Sequence, residues 1–203
     1  MTNVLLVTSS PRGGASYSAQ VAQEFAKEIE GAKITVRDLS AHPLPHIAAD
    51  FVQAAYTPDA DRSPAQRQAL ALSDKLIAEL QAADVVVVAA GMINFGVPST
   101  LKAWIDHVAR AGVTFRYGPS GPEGLLTGKK TFLLLATGGV YSSGAYAPYD
   151  HLTPYLNGVL GFLGLTDVET VLIEGVGAGP EATEKALVGA RSKAASLATA
   201  FAA

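Results

Sequence analysis

Short apolar runs bounded by turn residues alternate along the chain with longer segments of helical period. The runs are VLLV (4–7), ITV (34–36), VVVVA (85–89), FLLL (132–135) and VETVLI (168–173). Runs this short and nearly continuous predict strands covered on both faces, as in parallel sheets whose crossover helices pack above and below. Between the first two runs, Val21, Phe25 and Ile29 recur every fourth residue behind a serine-rich start, which predicts a helix over 18–30 with one buried stripe. A second helix is predicted over 64–83. After the third run, Pro98 suits a first helical position, and Leu101, Trp104, Ile105 and Val108 form an apolar face on a helix ending near Gly112. Segment 149–163 predicts a fourth helix, and the alanine-rich 180–203 a closing one.

Five strands with intervening helices predict an α/β domain, a doubly wound five-stranded parallel sheet with helices on both faces. Right-handed crossovers leave few topologies, of which the order 2-1-3-4-5 is the natural five-stranded choice. In it, ligands sit at the carboxyl ends of strands one and three. The 203 residues suit one domain, 1–203, at about 150 residues per domain. Segment 113–126 (VTFRYGPSGPEGLL) predicts a small β-hairpin, and the long 40–63 connection a short helix around 48–55 or a segment covering the site.

Charge and composition narrow the function. Lys and Arg number 15 against 18 Asp and Glu, a net charge of -3, with no basic run. Phosphate-backbone binding needs such a run, so nucleic acid is not expected as a partner. No cysteine is present, which rules out thiol nucleophiles, Cys-ligated zinc and iron–sulfur clusters and leaves redox chemistry to an organic cofactor. The first residues, MTNVLLVTSS, lack the basic start and long apolar run of a signal peptide. The charge-free stretches 85–101 and 131–149 are broken by Gly, Asn, Ser or Pro, so neither supplies the roughly 20 apolar residues of a membrane span. A cytoplasmic protein without membrane attachment is expected.

The first strand runs into Thr8-Ser9-Ser10-Pro11-Arg12-Gly13-Gly14-Ala15-Ser16-Tyr17-Ser18. Free N–H groups at a helix start favour an anion, the glycines let the backbone approach it, and Ser10, Ser16 and Ser18 add hydroxyl donors. The loop lacks the G-x-x-x-x-G-K-[ST] lysine of a triphosphate site and the G-x-G-x-x-G of a dinucleotide site, and the terminal phosphate of FMN fits it better. Gly177-Ala178-Gly179-Pro180-Glu181-Ala182 matches G-x-G-x-x-A, but no later strand exists to bring an acidic residue to a ribose, so a tight strand-to-helix turn is expected. Ser99-Thr100-Leu101-Lys102 fits S-x-x-K without its partner motifs S-D-N and K-T-G. The four histidines are scattered, prolines 43 and 45 keep His42 and His46 off one helix face, and no metal site is expected. Asp106 and His107 are expected at the surface or in a supporting layer.

Two more loops matter. Gly91-Met92-Ile93-Asn94-Phe95-Gly96-Val97-Pro98 follows the third strand and Thr137-Gly138-Gly139 the fourth. The predicted topology sets both beside the first loop, where they could flank a planar ring.

Taken with VLLVTSS (4–10), ITVRDL (34–39), ALALSDKLIAEL (69–80), ARAGVTFRYGPSGPEGLLTGKK (109–130), and TPYL with GFLGLTDV within 153–168, these residues make the chain resemble the FMN-dependent NADH-azoreductases, a branch of the flavodoxin-like NAD(P)H:quinone reductases. The resemblance runs nearly end to end. It implies a flavodoxin-like fold and a bound FMN, its phosphate at Ser10, Ser16, Tyr17 and Ser18, its ring and ribityl chain beside Met92, Ile93, Asn94 and Phe95, and the ring's polar edge near Ala136, Thr137, Gly138 and Gly139. This chain has Ile93 where the family commonly has Tyr, and Thr137 where it commonly has Arg.

The activity so implied is a ping-pong two-electron reduction: NADH or NADPH passes a hydride to flavin N5 and leaves, and a quinone or azo compound then takes the electrons in the same pocket. No catalytic side chain is needed, because the cofactor supplies the chemistry. The resemblance also implies a homodimer with the flavin near the subunit boundary, and Phe115, Tyr117, Tyr141 and Phe162 are candidate walls for a flat substrate. The alternatives are a non-enzymatic flavodoxin-like electron carrier and a nucleotide-binding regulatory domain. Flavodoxins are generally shorter and more acidic, and the 113–126 segment offers material for a substrate pocket.

Overall fold

The computed structural model describes residues 1–202. In chain order its elements are β1 (Thr2–Thr8), α1 (Tyr17–Glu28), β2 (Ala32–Asp38), α2 (Ala49–Tyr56), α3 (Pro64–Ala82), β3 (Val85–Gly91), α4 (Ser99–Val108), β4 (Phe115–Gly118), β5 (Gly121–Gly124), β6 (Lys130–Thr137), α5 (Thr153–Phe162), β7 (Asp167–Glu174) and α6 (Pro180–Ala202). Five strands form one sheet in the order β2-β1-β3-β6-β7, all neighbours parallel. With the two hairpin strands set aside, this is the predicted 2-1-3-4-5 order.

Strand alternation divides the interior in two. Val4, Leu6, Val85, Val87, Phe132 and Leu134 point to the side of α1 and α6, where Val21, Phe25 and Ala194 meet them. Leu5, Val7, Val86, Val88, Leu133 and Leu135 point to the side of α3, α4 and α5, against Leu76, Leu80, Trp104 and Leu156. Because β3 is covered on both faces, its run of valines and alanines carries no polar position from Val85 to Ala90.

Several boundaries differ from those the sequence predicts. Helix α1 begins at Tyr17, because the Ser16 side chain caps it by accepting from the Ala19 N–H at 3.3 Å. The helix after β3 begins at Ser99, with Pro98 as its cap, and stops at Val108 rather than near Gly112. Its end is set by buried Thr114, whose hydroxyl donates to the Val108 carbonyl at 2.6 Å, and by the turn at Gly112, φ 77°. The predicted 149–163 helix is two elements. A 3-10 turn spans Gly144–Tyr149, and α5 starts only at Thr153, where Asp150 accepts from the Leu152 and Thr153 N–H groups, both at 2.9 Å. In the 40–63 connection, α2 occupies Ala49–Tyr56, and its Phe51 stacks edge-on against His107 at 5.2 Å. His107 is buried rather than superficial, with Nε2 bonded to the Pro45 carbonyl at 2.9 Å. Asp106 instead pairs with Lys102 at 2.5 Å.

The antiparallel β4–β5 hairpin rests on the α5–β7 turn, where the Leu126 N–H donates to Leu163 O at 2.9 Å. A Cβ on Gly124 would fall inside the backbone of Leu163 and Gly164, whereas one on Gly118 would meet only the flexible Glu123 side chain. Gly124→Ala is therefore expected to cost about 1–3 kcal/mol in a denaturation midpoint, and Gly118→Ala much less. Equal losses would mean that the hairpin does not dock at Gly124.

Candidate functional site

The carboxyl ends of β1, β3, β6 and β7 come together at one edge of the sheet. A recess of about 270 Å³ lies there, lined by Ser10, Pro11, Arg12, Ser16, Tyr17 and Ser18 of the first loop, Gly91, Met92 and Ile93 of the second, Ala136, Thr137 and Gly138 of the third, and Val176 and Gly177 beyond β7. Three loops that are distant in sequence thus meet in space.

The donor chemistry of the first loop follows from its internal hydrogen bonds. Ser10 Oγ accepts the Arg12 N–H at 3.3 Å, which leaves the Ser10 hydroxyl proton available. Ser16 Oγ accepts from Ala19 and lies 3.2 Å from Ser18 Oγ. Whichever of these two hydroxyls donates to the other, one proton remains to offer. The N–H groups of Gly14, Tyr17 and Ser18 have no acceptor among the described residues. Ser10, Ser16 and Ser18 are all buried, and the recess lining contains no carboxylate. Such a set, rich in donors and without a carboxylate, suits an anion better than a cation.

The second loop is a tight turn. Ile93 and Gly96 exchange both backbone hydrogen bonds at 3.0 Å, and the central pair, Asn94 (φ 48°) and Phe95 (φ 70°), are the only non-glycine residues with positive φ among those described. Positive φ at both central positions marks a type I′ turn, where Asn is at home and Phe is strained. The turn holds Phe95 half exposed, with Tyr149 at 5.5 Å and Tyr141 at 6.4 Å between ring centroids. The turn and the segment after β6 are tied together by the His151 N–H, which donates to Phe95 O at 3.0 Å.

The third loop is held from β7. Glu174 accepts the N–H groups of Tyr141 and Ser142 at 2.7 and 2.8 Å and the Ser142 hydroxyl at 2.5 Å. Thr137 Oγ1 donates to Gly139 O at 2.8 Å, and the N–H groups of Gly175 and Gly177 bond to the carbonyls of Gly139 and Gly138. A Cβ on Gly177 would stand 3.0 Å from the Gly138 oxygen, so glycine there permits the close approach of the two loops.

A second recess, about 860 Å³, shares Pro11 and Ile93 with the first and adds Asn94, Ser99, Lys102, His151 and Tyr155. Lys102 is held above the usual lysine range by its hydrogen bond to Asp106, outweighing partial burial, and burial also raises the Tyr155 phenol. A lysine so stabilised as a cation is a poor base, and the S-x-x-K match has no acyl-transfer arrangement.

Of the residues singled out by sequence, Ser10, Ser16, Tyr17, Ser18, Met92, Ile93, Ala136, Thr137 and Gly138 line the smaller recess. Asn94 lines the larger one, Phe95 stands at the turn tip, and Gly139 anchors the third loop. The four candidate wall aromatics do not converge within one chain. Tyr141 stands beside Phe95, and Phe115 stacks on Phe162 at 4.4 Å and on Tyr117 at 5.8 Å at the far end of α5; none of the four lines either recess. Sequence reasoning missed Pro11, Arg12, Val176 and Gly177. An arginine inside a glycine- and serine-rich anion loop was the available signal for Arg12, whereas the G-A-G turn reaches the recess only through its hydrogen bonds to the third loop.

A family model described as the flavodoxin-like fold matches residues 2–198. A protein of Mesorhizobium japonicum named FMN-dependent NADH:quinone oxidoreductase is 53% identical over 195 residues, covering 94% of this chain and 93% of that protein. One of the same name from Herminiimonas arsenicoxydans is 50% identical over 192 residues, with 92% and 94% covered. The crystal structure of an azoreductase from Bacillus anthracis superposes with a TM-score of 0.89 at 33% identity, covering 98% of this chain and 99% of that one.

The type I′ turn makes a stability prediction. Asn94→Val is expected to cost about 1–2 kcal/mol, because a β-branched residue cannot hold φ near 48° without strain, while Asn94→Gly stays within about 0.5 kcal/mol of wild type. Denaturant midpoints for the two variants check this. Equal losses would assign the stability to the amide side chain rather than to the backbone.

Proposed function

The chain belongs to the family of the flavodoxin-like fold, and from that premise we propose that it is an FMN-dependent oxidoreductase that uses NADH or NADPH to reduce quinones and azo compounds. The observation that carries this reading is the carboxylate-free recess in which buried hydroxyls and free N–H groups meet the 92–95 turn and the loop after β6. FMN fits that donor set, with a dianionic phosphate for the first loop and a planar ring for the other two. The names and close similarity of the relatives support the same activity.

When bound, FMN supplies the redox chemistry, relaying two electrons from a nicotinamide to the acceptor. The protein's residues bind, orient and shield it. The hydroxyl protons of Ser10 and the Ser16–Ser18 pair, with the N–H groups of Gly14, Tyr17 and Ser18, hold the phosphate. The main chain of 92–95 and 137–139 would orient the ring, with the rings of Phe95, Tyr141 and Tyr149 clustered at the tip of the 92–95 turn. No side chain is assigned a proton-transfer role. If donor and acceptor occupy the same place beside the ring in turn, the kinetics would be ping-pong. In the homodimer that the resemblance implies, the cluster of Phe115, Tyr117 and Phe162 would be free to close the site of a second copy.

Denatured protein is expected to release FMN and not FAD, as chromatography of the supernatant would show. Initial-rate plots against NADH at several quinone concentrations are expected to be parallel. Intersecting lines would replace alternation by a ternary complex, and failure of both nicotinamides as donors would favour an electron carrier. Ser10→Ala and Ser18→Ala each remove a hydroxyl near a charged group, and each is expected to weaken FMN binding about 10-fold or more in fluorescence titrations. Unchanged binding would return these serines to the capping of α1.

A further inference from the structure

We infer that Arg12 is the charge-matching ligand of the phosphate in the smaller recess, and that Tyr17 keeps its guanidinium in place; this rests on the reading of that recess as the FMN phosphate site. The chain has seven arginines. Arg37, Arg62, Arg67, Arg110, Arg116 and Arg191 each form an ion pair with a carboxylate. Arg12 forms none among the described residues, and no hydrogen bond from its guanidinium is found there. Its one defined side-chain interaction is with Tyr17, whose ring lies under the guanidinium carbon at 4.8 Å from the centroid. A ring beneath a cation restrains its position without using any of its five N–H donors.

The surroundings leave this cation a single role. Arg12 lines the same recess as Ser10, Ser16 and Ser18, and no acidic side chain lines it to compensate the charge. The hydroxyls and N–H groups of the loop are neutral, so without Arg12 a dianionic phosphate would be held by dipoles alone. The planar fork of a guanidinium matches two phosphate oxygens at once, which a lysine cannot do. The Arg12 main chain contributes too, because its N–H donates to Ser10 Oγ and turns that hydroxyl into a donor for the same anion. Arg12 therefore sets the preference of the site for a phosphorylated flavin over one that ends in a hydroxyl, and for a terminal phosphate monoester over the less charged diester of FAD.

The test compares FMN with riboflavin, which share the ring and ribityl chain and differ only in the phosphate. Flavin-free full-length protein, wild type and with Arg12→Ala or Arg12→Lys, is titrated with each by fluorescence quenching at low and high salt. Arg12→Ala is expected to weaken FMN roughly ten- to a hundredfold while riboflavin binding stays as in wild type. Arg12→Lys is expected to recover part of the loss, and added salt to narrow the gap between wild type and Arg12→Ala. Tyr17→Leu, which removes the ring, is expected to reproduce part of the loss for FMN alone, and Tyr17→Phe none. Equal weakening of both flavins would make Arg12 a structural residue and overturn the inference, as would unchanged FMN affinity in Arg12→Ala. Wild-type protein that binds riboflavin as tightly as FMN would overturn it while leaving a flavin site standing. Wild-type protein that binds neither would overturn the FMN reading itself, and the inference with it.

Discussion

Parallel pairing of β1, β3 and β6 is the constraint on which the rest of the structure depends. In a parallel sheet every strand ends at the same edge, and helices covering both faces leave that edge as the open place for a ligand. Thr8 pairs with Ala89 and Ala89 with Leu134, so the loops that follow the three strands emerge side by side although about 80 and 45 residues apart in sequence. The two apolar layers hold this alignment. Each takes alternate residues from every central strand, and a one-residue slip would turn the apolar set of a strand to the wrong layer.

Given that edge, each loop is stiffened by its own means. Serine hydroxyls and a helix start shape the first loop, a reciprocal pair of backbone hydrogen bonds closes the second, and Glu174 together with the 175–177 backbone fastens the third. The strain at Phe95 is the exception to local preference, and such strain persists where surrounding structure over-determines it. Here that structure is the 3.0 Å bond from His151 and the two tyrosine rings. The result is an aromatic side chain presented at the mouth of the site instead of buried.

The electrostatics follow the same division. Around the smaller recess the polar groups are donors, with one unpaired cation at the rim. Around the larger one the cation Lys102 is already paired with Asp106, and burial keeps the Tyr155 phenol protonated. The first loop is therefore the place with donors for an anion, while the neighbouring recess mixes apolar groups with hydrogen-bonding ones. No part of this arrangement asks the protein for a nucleophile or a proton relay, in keeping with chemistry supplied by a cofactor.

The five strands, the hairpin and the identity of the three loops were legible in the sequence, because they depend on near-neighbour periodicity: unbroken apolar runs, a stripe at every fourth residue, and Gly, Pro and Ser at the breaks; the strand order followed from the handedness of the crossovers that parallel strands require. Ser10, Met92 and Thr137 were legible as residues just beyond a predicted strand, and Ser16 and Ser18 as the polar start of the helix that follows the first. The break within 149–163 had a local signal that the sequence reading passed over, since Asp150 captures the N–H groups two and three residues on that open α5, whereas only the tertiary structure decided where α4 stops, since Thr114 reaches back to Val108. Only it separated Tyr141 from Phe115, Tyr117 and Phe162, brought Gly177 against Gly138, and left Arg12 alone among the arginines without a carboxylate. Each of these depends on which distant groups arrive within about 3–6 Å of one another, and local hydrophobic pattern carries no record of that distance.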